Sequence, residues 1–223
     1  MTRKLFLSAI IKFSAGVLLV GTLIFLPAGT IHFPGGLLLM AILFVPMFLA
    51  GLVMMAKSPN LLRSRLNAKE TEREQDLVVK LSGLMFLTGF ILAGLDFRFG
   101  WSRLPGWINV LGAVLFLGAY GLYAEVLREN VWLSRTIEVQ QGQTVVSTGL
   151  YGIVRHPMYA VTLLLFESMP LVLGSIPAFA VFLIYPAIIA KRIRNEEEVL
   201  KRELPGYTEY LQKVRWRLIP YIW

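Results

Sequence analysis

Apolar residues form four continuous runs in the first half of the chain, separated by short polar segments. About 20 helical residues are needed to cross a hydrocarbon core roughly 30 Å thick, and each run is of that order. The runs predict membrane-spanning helices near residues 5–26, 36–56, 77–95 and 105–127.

A fifth apolar run, from Met158 to Ala190, is too long for one crossing. It is interrupted at 174–177 by Gly-Ser-Ile-Pro, which is a turn signal. We therefore predict a tight helical hairpin with spans near 158–173 and 177–191. The predicted fold class is an all-α integral membrane protein with about six transmembrane helices, the last two forming the hairpin, followed by an amphipathic C-terminal tail.

Positive charges fall almost entirely on one side of this arrangement. If the N-terminus is inside, all of the 22 Lys and Arg residues except Arg98 and Arg103 lie in cytoplasmic segments. Cytoplasmic loops retain Lys and Arg, so the pattern predicts an even number of spans and both termini in the cytoplasm, as in a bacterial-type inner membrane. The net charge of +8 follows from these loops, and we expect no nucleic-acid partner.

Composition excludes several kinds of site. The chain is 56% hydrophobic and 16% charged, outside the usual soluble range. It has no Cys, which removes disulfides, thiolate metal sites and Cys nucleophiles, and its two His residues argue against a histidine-rich metal site. We expect no metal. The segment Met1 to Leu26 resembles a signal peptide but has a weak cleavage context, so we keep it as a span.

We divide the chain into a four-span membrane region, 1–127, and a C-terminal region, 128–223. Within the first region, the mixed-charge loop 57–76 predicts a cytoplasmic surface helix, with a solvated connector as the alternative. The polar segment 129–154 predicts a short extended or hairpin element over the membrane mouth, with a turn at 141–143. After a turn at Pro205-Gly206, aromatic residues alternate with Lys and Arg, a pattern typical of an element that contacts lipid headgroups.

The most polar stretch beside the hairpin is Arg155-His156-Pro157. Proline is favoured at the first position of a helix, so a helix should begin there with free N–H groups and the positive end of its dipole. This arrangement suits an anion. Alternatively, Arg155 faces lipid phosphates and His156 is a cap-like residue.

A second polar cluster, 192–198, follows the hairpin and contains three consecutive Glu residues, 196 to 198. Helical i,i+4 pairing with Arg and Lys explains part of this pattern. The functional alternative is that at least one Glu turns inward to meet a cation or a pair of hydroxyls. Because a tight hairpin brings its two ends together, 155–159 and 191–198 should be neighbours.

A molecule with a carboxylate, an ammonium, a ribose diol, an adenine and a sulfonium would use all of these groups, and S-adenosylmethionine is such a molecule. Arg155 or His156 would hold its carboxylate, a Glu its amine or ribose, and Tyr151, Tyr159 or Tyr207 its adenine. The chain has no Gly-x-Gly-x-x-Gly after a strand, which excludes a Rossmann-type methyltransferase domain.

Four motifs carry a family resemblance. Thr-Gly-Leu-Tyr-x-x-x-Arg-His-Pro-Met-Tyr at 148–159 is followed by Asn-Glu-Glu at 195–197, and then by Leu-Pro-Gly-Tyr-x-x-Tyr at 204–210 with Arg-x-Arg-Leu-Ile-Pro at 215–220. Together they resemble the isoprenylcysteine carboxyl methyltransferase family and the wider group of integral-membrane phospholipid N-methyltransferases. The resemblance covers roughly 129–223.

The resemblance implies that S-adenosylmethionine binds at the cytoplasmic face, leaves as S-adenosylhomocysteine, and methylates a lipophilic acceptor from the bilayer. The cofactor contacts that it implies are Gln143, Thr144, Val145, Tyr151, Arg155, His156, Pro157, Tyr159, Arg194, Asn195, Glu196, Glu197, Tyr207 and Tyr210. Leu150 departs from the family, where many relatives carry Pro.

Candidate catalytic residues are Arg155, Glu167 and Arg215. Either Arg could orient an acidic acceptor, whereas an amine would need a base such as Glu167, Glu125 or a tail Tyr. A carboxyl within a span is costly and is a functional candidate, although a structural hydrogen bond between helices is an alternative for Glu167. Other possible functions are a phospholipid or amine N-methyltransferase, a small-thiol S-methyltransferase, and a transporter or non-enzymatic membrane protein. The acceptor and the oligomeric state stay open.

Overall fold

Helices account for the regular structure in the part of the chain that the computed structural model describes, which is residues 3–57, 62–63, 66, 73–133 and 139–223. In chain order they are α1 (Arg3–Ala28), α2 (Pro34–Lys57), α3 (Arg73–Phe99), α4 (Trp107–Glu129), a 3₁₀ helix (Gly149–Gly152), α5 (Pro157–Leu173), α6 (Ile176–Phe182), α7 (Tyr185–Glu203) and α8 (Tyr207–Lys213). The expected all-α class is confirmed.

Five helical segments are long and apolar enough to cross a membrane. A sixth, α5, is apolar but has only 17 residues. The multi-pass membrane architecture is therefore confirmed, whereas the exact number of crossings stays a prediction. The five segments are Leu5–Ala28, Pro34–Lys57, Leu77–Phe99, Trp107–Glu129 and Ile176–Glu203.

The predicted break after α5 is present. Gly174 caps α5 with φ of 68°, in the left-handed region where a Cβ is disfavoured. Ser175 then caps α6, its Oγ accepting from the Ala178 N–H at 3.3 Å. The second arm differs from the single helix expected over 177–191, since it is interrupted between α6 and α7 and runs on to Glu203. Pro186 lacks an N–H and disfavours helical backbone before it, which accounts for the interruption.

Helices α4 and α5 pack closely along much of their length. A Cβ on Gly112 would lie 2.6 Å from the backbone N of Val172, so the glycine permits this approach. Nearby, the Asn109 side-chain amide donates to the Val172 carbonyl at 2.9 Å. The far end of α5 is thereby fixed against α4.

A buried polar cluster fixes the end of the molecule where α3 ends and α6 begins. Asp96 is 2% exposed. Its carboxylate accepts from the N–H and the hydroxyl of Ser102 and from the hydroxyl of Ser175, each at 2.6 Å. Both oxygens of this carboxylate are hydrogen-bonded, as a buried carboxylate requires. Because Asp96 belongs to α3 and Ser175 precedes α6, these bonds join α3 to the turn before α6.

The polar segments agree with expectation where they are described. Gly142 has φ of 77°, and the Gln143 N–H donates to the Gln140 carbonyl at 3.0 Å, which is the predicted turn. In the tail, Gly206 with φ of 83° separates α7 from α8. Most of the predicted surface helix in 57–76 and most of the alternating segment 136–140 lie outside the described residues.

Candidate active site

The site is built where α5 begins. His156 precedes α5 as its N-cap residue without a side-chain cap bond, and Pro157 occupies the first turn. The segment is paired with the C-terminal tail through backbone hydrogen bonds. The Arg155 N–H donates to the Trp216 carbonyl at 2.8 Å, and the His156 N–H donates to the Arg217 carbonyl at 2.9 Å. Residues about 60 positions apart therefore form one wall.

Glu197 is the buried charge at the centre of this wall, with 2% exposure. Its Oε1 lies 2.8 Å from Arg155 Nε and 3.3 Å from His156 Nε2, and its Oε2 accepts from Arg217 Nε at 3.0 Å. A buried carboxylate is stable only when it is paired and hydrogen-bonded, and these three partners meet that requirement.

Glu196, next along α7, faces a different partner. Its Oε2 accepts from the Tyr159 hydroxyl at 2.5 Å, and that hydroxyl accepts from Arg192 Nε at 2.9 Å. The Arg192 guanidinium also lies 5.9 Å from the centre of the Tyr159 ring. Arg192, Tyr159 and Glu196 thus form a chain of hydrogen bonds between α7 and α5. The expected proximity of 155–159 and 191–198 is confirmed.

One cavity of about 1120 Å³ joins these groups to the membrane-spanning helices. Its polar end is lined by Arg155, His156, Tyr159, Arg192 and Glu196, together with Tyr207 and Tyr210 from α8. Its apolar end is lined by α2 and α3, through residues that include Leu43, Pro46, Met47, Ala50, Val79, Gly83 and Phe86. Both regions of the chain contribute to the cavity.

Tyr207 carries the clearest indication that the polar end of the cavity is a ligand site. It is 4% exposed and lines the polar end. Its buried hydroxyl has no hydrogen-bond partner among the described residues. Burial raises the pKa of Tyr207 well above its usual range, so the hydroxyl is a donor at ordinary pH. A buried donor is rarely left unpaired, and an acceptor atom of a bound molecule would satisfy it.

The neighbouring Tyr210 is satisfied within the protein. Its hydroxyl donates to the Tyr151 carbonyl at 2.7 Å, and burial raises the pKa of Tyr210 as well. The Tyr151 hydroxyl in turn accepts from the Asn130 side-chain amide at 2.9 Å. These bonds fix α8 against the 3₁₀ helix and close the cavity beside Tyr207.

The cavity brings together most of the residues expected at a cofactor site. Those that line it are Gln143, Thr144, Val145, Tyr151, Arg155, His156, Tyr159, Glu196, Tyr207 and Tyr210. Pro157 starts α5 beside the cavity, Glu197 lies behind the wall, and Asn195 is half-buried away from the lining. Arg194 is exposed and does not line the cavity.

Two of the three candidate catalytic residues lie away from the cavity. Arg215 is exposed, and Arg217, two residues further on, makes the contact with Glu197. Both carboxylate oxygens of Glu167 are buried, without a hydrogen-bond partner in the described part of the chain. The structural hydrogen bond considered for Glu167 is therefore not seen there. Among the candidate bases, Glu125 pairs with Arg128 on the surface of α4 at 2.5 Å.

Sequence reasoning missed two functional candidates, Arg192 and Arg217. Arg192 belongs to the cluster 192–198, for which the sequence predicted pairing along the helix, but the structure shows that it donates to Tyr159 on α5. Arg217 belongs to the tail motif, but nothing in the local pattern distinguishes it from Arg215. Only its pairing with 155–156 turns it toward Glu197.

The fold and the site define a multi-pass membrane protein with a charged pocket that is continuous with an apolar chamber between helices. Comparison with known sequences agrees with this class. Residues 107–202 match the sequence model of the isoprenylcysteine carboxyl methyltransferase (ICMT) family, which confirms the resemblance inferred from the motifs. The match begins at α4, earlier than the motifs indicated, and ends before the tail.

Individual relatives are more varied. The chain is 33% identical to the cobalt-zinc-cadmium resistance protein CzcN of Cupriavidus metallidurans over 132 residues, 56% of each chain. It is 29% identical over 114 residues to the nickel-cobalt-cadmium resistance protein NccN of Alcaligenes xylosoxydans xylosoxydans, covering 48% of this chain and 49% of that protein.

A eukaryotic relative is the Delta(14)-sterol reductase of Mus musculus, 27% identical over 124 residues, which are 52% of this chain and 29% of the reductase. The chain therefore spans about half or less of the length of the curated relatives it matches.

In the described residues, no cluster of three or more His, Asp or Glu side chains is placed to hold a metal ion.

Proposed function

We propose that this protein is an S-adenosylmethionine-dependent methyltransferase whose acceptor is lipophilic. The observation that carries the proposal is the continuity of one cavity from a charged end to an apolar end. A polar nucleoside needs a charged wall and an apolar acceptor needs an apolar one. Transfer of a methyl group between them requires that both molecules lie in the same cavity.

The residues at the charged end fit the methyl donor. Glu196 offers a carboxylate for its ammonium or ribose hydroxyls, and the unpartnered Tyr207 hydroxyl offers a donor for its carboxylate or a ribose oxygen. Arg155 adds positive charge beside Tyr207. When bound, the donor would supply an electrophilic methyl group on a sulfonium, with the thioether of S-adenosylhomocysteine as the leaving group.

The protein's own contribution is to hold the reactants in line and to exclude water. Gln143, Thr144 and Val145, which follow the turn at Gly142, line the cavity together with Tyr207 and Tyr210 of α8. Glu196 is the one carboxylate among the described lining residues. An acceptor that reacts as an anion needs no base, whereas an amine would have to give its proton to Glu196 or to water.

The apolar end favours a lipid-like acceptor over a small thiol. Met47 on α2 and Val79 on α3 line it and are themselves exposed, at 38% and 52%. In a membrane protein this surface faces acyl chains, so an apolar acceptor would reach the cavity from the bilayer between α2 and α3. We further propose that both chain termini lie in the cytoplasm, because the charged end is built beside the Arg-rich tail.

Binding and transfer should be tested separately. The protein in lipid nanodiscs is titrated calorimetrically with S-adenosylmethionine, as wild type and as Glu196→Gln and Glu198→Gln variants. Glu198 is exposed on the same helix and is the matched control. A lost charged hydrogen bond is worth about 1.5–3 kcal/mol, so Glu196→Gln should weaken binding roughly 10- to 100-fold while the control stays at wild-type affinity.

Transfer is measured with methyl-labelled S-adenosylmethionine and a lipid extract of the membrane, following label in the organic phase and S-adenosylhomocysteine in the aqueous phase. Both should appear in equal amounts. Absence of donor binding by the folded wild type would refute the proposal. Binding of a reduced nicotinamide nucleotide in its place would instead favour a reduction, the reaction that the sterol reductase's name denotes.

A further inference from the structure

A second layer of residues stands behind the charged end of the cavity. Glu197, Arg217 and Trp223 do not line it, whereas Arg155 and His156, which contact Glu197, do. The orientation of the two lining side chains therefore depends on a carboxylate that no ligand in the cavity would touch. The residues that fix the Glu197 carboxylate therefore also determine the orientation of the Arg155 and His156 side chains.

Glu197 divides its two oxygens between different partners. Oε1 serves both Arg155 and His156, and Oε2 is bonded by Arg217. Without Arg217, Oε2 would lack its cation, and rotation of the carboxylate to recover one would withdraw Oε1 from its two partners. The Arg217 contact therefore fixes the carboxylate's rotation, and the planar guanidinium suits that purpose.

Arg217 is itself held by Trp223. The Arg217 side chain is 32% exposed, and its guanidinium lies 5.4 Å from the centre of the Trp223 ring. The position of Trp223 is set by its backbone, because its carbonyl accepts from Leu218 at 2.9 Å and from Ile219 at 3.1 Å. The tail thus folds back, and a stacked indole restricts a long, partly exposed side chain.

We propose that Arg217 and Trp223 are positioning residues, which act through Glu197 to orient Arg155 and His156 for the ligand. The inference rests on the proposed function for the identity of that ligand, but the orientation itself is a property of the protein alone. It assigns a role to a tail segment that lies outside the matched region 107–202.

The test is a double-mutant cycle on two residues that do not line the cavity. Arg217→Gln should raise the dissociation constant for S-adenosylmethionine about tenfold, as expected for one charge-assisted contact, and Trp223→Ala about threefold. Because Trp223 acts through Arg217, the double variant should bind no more weakly than Arg217→Gln alone. Trp223→Phe, which keeps an aromatic face, should restore binding to within about twofold of wild type.

Control variants come from the same segment. Arg215→Gln and Tyr221→Ala change exposed residues of the tail and should leave binding unchanged. In steady-state transfer assays, Arg217→Gln should raise KM for the donor and leave KM for the acceptor unaltered. Additive losses in the double variant, or equal changes in both KM values, would indicate general loosening of the tail and would overturn the proposal.

A readout without cofactor separates this inference from the proposed function. Hydrogen–deuterium exchange at the amides of Arg155 and His156 reports their bonds to the tail, at 2.8 and 2.9 Å. Exchange there should speed up in Arg217→Gln and Trp223→Ala, but not in Arg215→Gln. If the wild type failed to bind S-adenosylmethionine, this pattern would still support the positioning role, and unchanged exchange would refute it.

Discussion

The same substitution at the adjacent residues Glu196 and Glu197 should destabilise the protein to different extents. Glu197 is 2% exposed and is shared by three basic side chains, of which Arg155 is only 8% exposed. Replacing Glu197 by Gln keeps the shape of the side chain but leaves a buried guanidinium without its counter-charge. Removing one partner of a buried ion pair lowers the free energy of unfolding by about 3–5 kcal/mol.

Glu196 carries less of the protein's stability. The Glu196 side chain is half-buried, and its carboxylate accepts a hydrogen bond from the Tyr159 hydroxyl. In Glu196→Gln, the amide oxygen still accepts that bond, so the expected cost is about 1 kcal/mol or less. The two variants should therefore differ by roughly 2–4 kcal/mol in free energy of unfolding.

Thermal unfolding in detergent, followed by the fluorescence of the five Trp residues, measures the difference. We expect Tm to fall on the order of 10 °C for Glu197→Gln and about 2 °C or less for Glu196→Gln. Glu196→Gln should nevertheless weaken donor binding, since Glu196 lines the cavity. If Glu196→Gln proved the more destabilising, then the buried carboxylate would not be what balances Arg155, and the reasoning about the wall would be wrong.

Three further outcomes are expected. Gly121→Leu should lower methyl transfer about tenfold or more and leave donor affinity unchanged, because Gly121 lines the cavity. Gly118→Leu is the control: a Cβ there would be equally free of neighbours, but Gly118 does not line the cavity, so the rate of methyl transfer should stay at the wild-type value. Tyr207→Phe should weaken donor binding about 2- to 10-fold. The factor should be the same from about pH 6 to about pH 9, because burial raises the pKa of Tyr207 and keeps its hydroxyl protonated; calorimetry at both ends of that range measures it. Asp96→Ala should lower the free energy of unfolding by about 2–4 kcal/mol without changing donor affinity, because it strands the hydroxyl of Ser175 and lies at the far end of α3; a loss of affinity at equal folding would contradict this.

Topology was the part of the site most open to sequence reasoning. A long apolar run interrupted by Gly174 and Ser175 requires the chain to reverse, and reversal brings the residues before α5 close to those in α7. This argument needs no side-chain detail, and the structure agrees with it, since Arg155 and Glu197 lie 2.8 Å apart. The interruption before Tyr185 was missed because apolar periodicity dominated the single signal from Pro186.

The division of roles between neighbouring residues was not predictable from local pattern. Successive positions on a helix point about 100° apart, so one of two adjacent Glu residues must face the core more directly, but which one depends on the rotation of α7 against α5. The same holds for Arg215 and Arg217, whose directions are set by backbone pairing with residues about 60 positions earlier. Contacts of that range leave no trace in spacing or composition.

The two ends of the cavity place different demands on the chain, and this explains where the motifs lie. The charged end needs specific side chains at fixed distances, so it is built from 143–159, α7 and the tail, where motifs are dense. The apolar end needs space between α2 and α3, which many apolar sequences can provide, and the family match accordingly begins only at Trp107. Since α2 and α3 line the apolar end, they would contact a lipophilic acceptor there. We therefore expect donor binding to follow the motifs, and acceptor preference to change when lining residues of α2 and α3, such as Ala50 and Gly83, are enlarged.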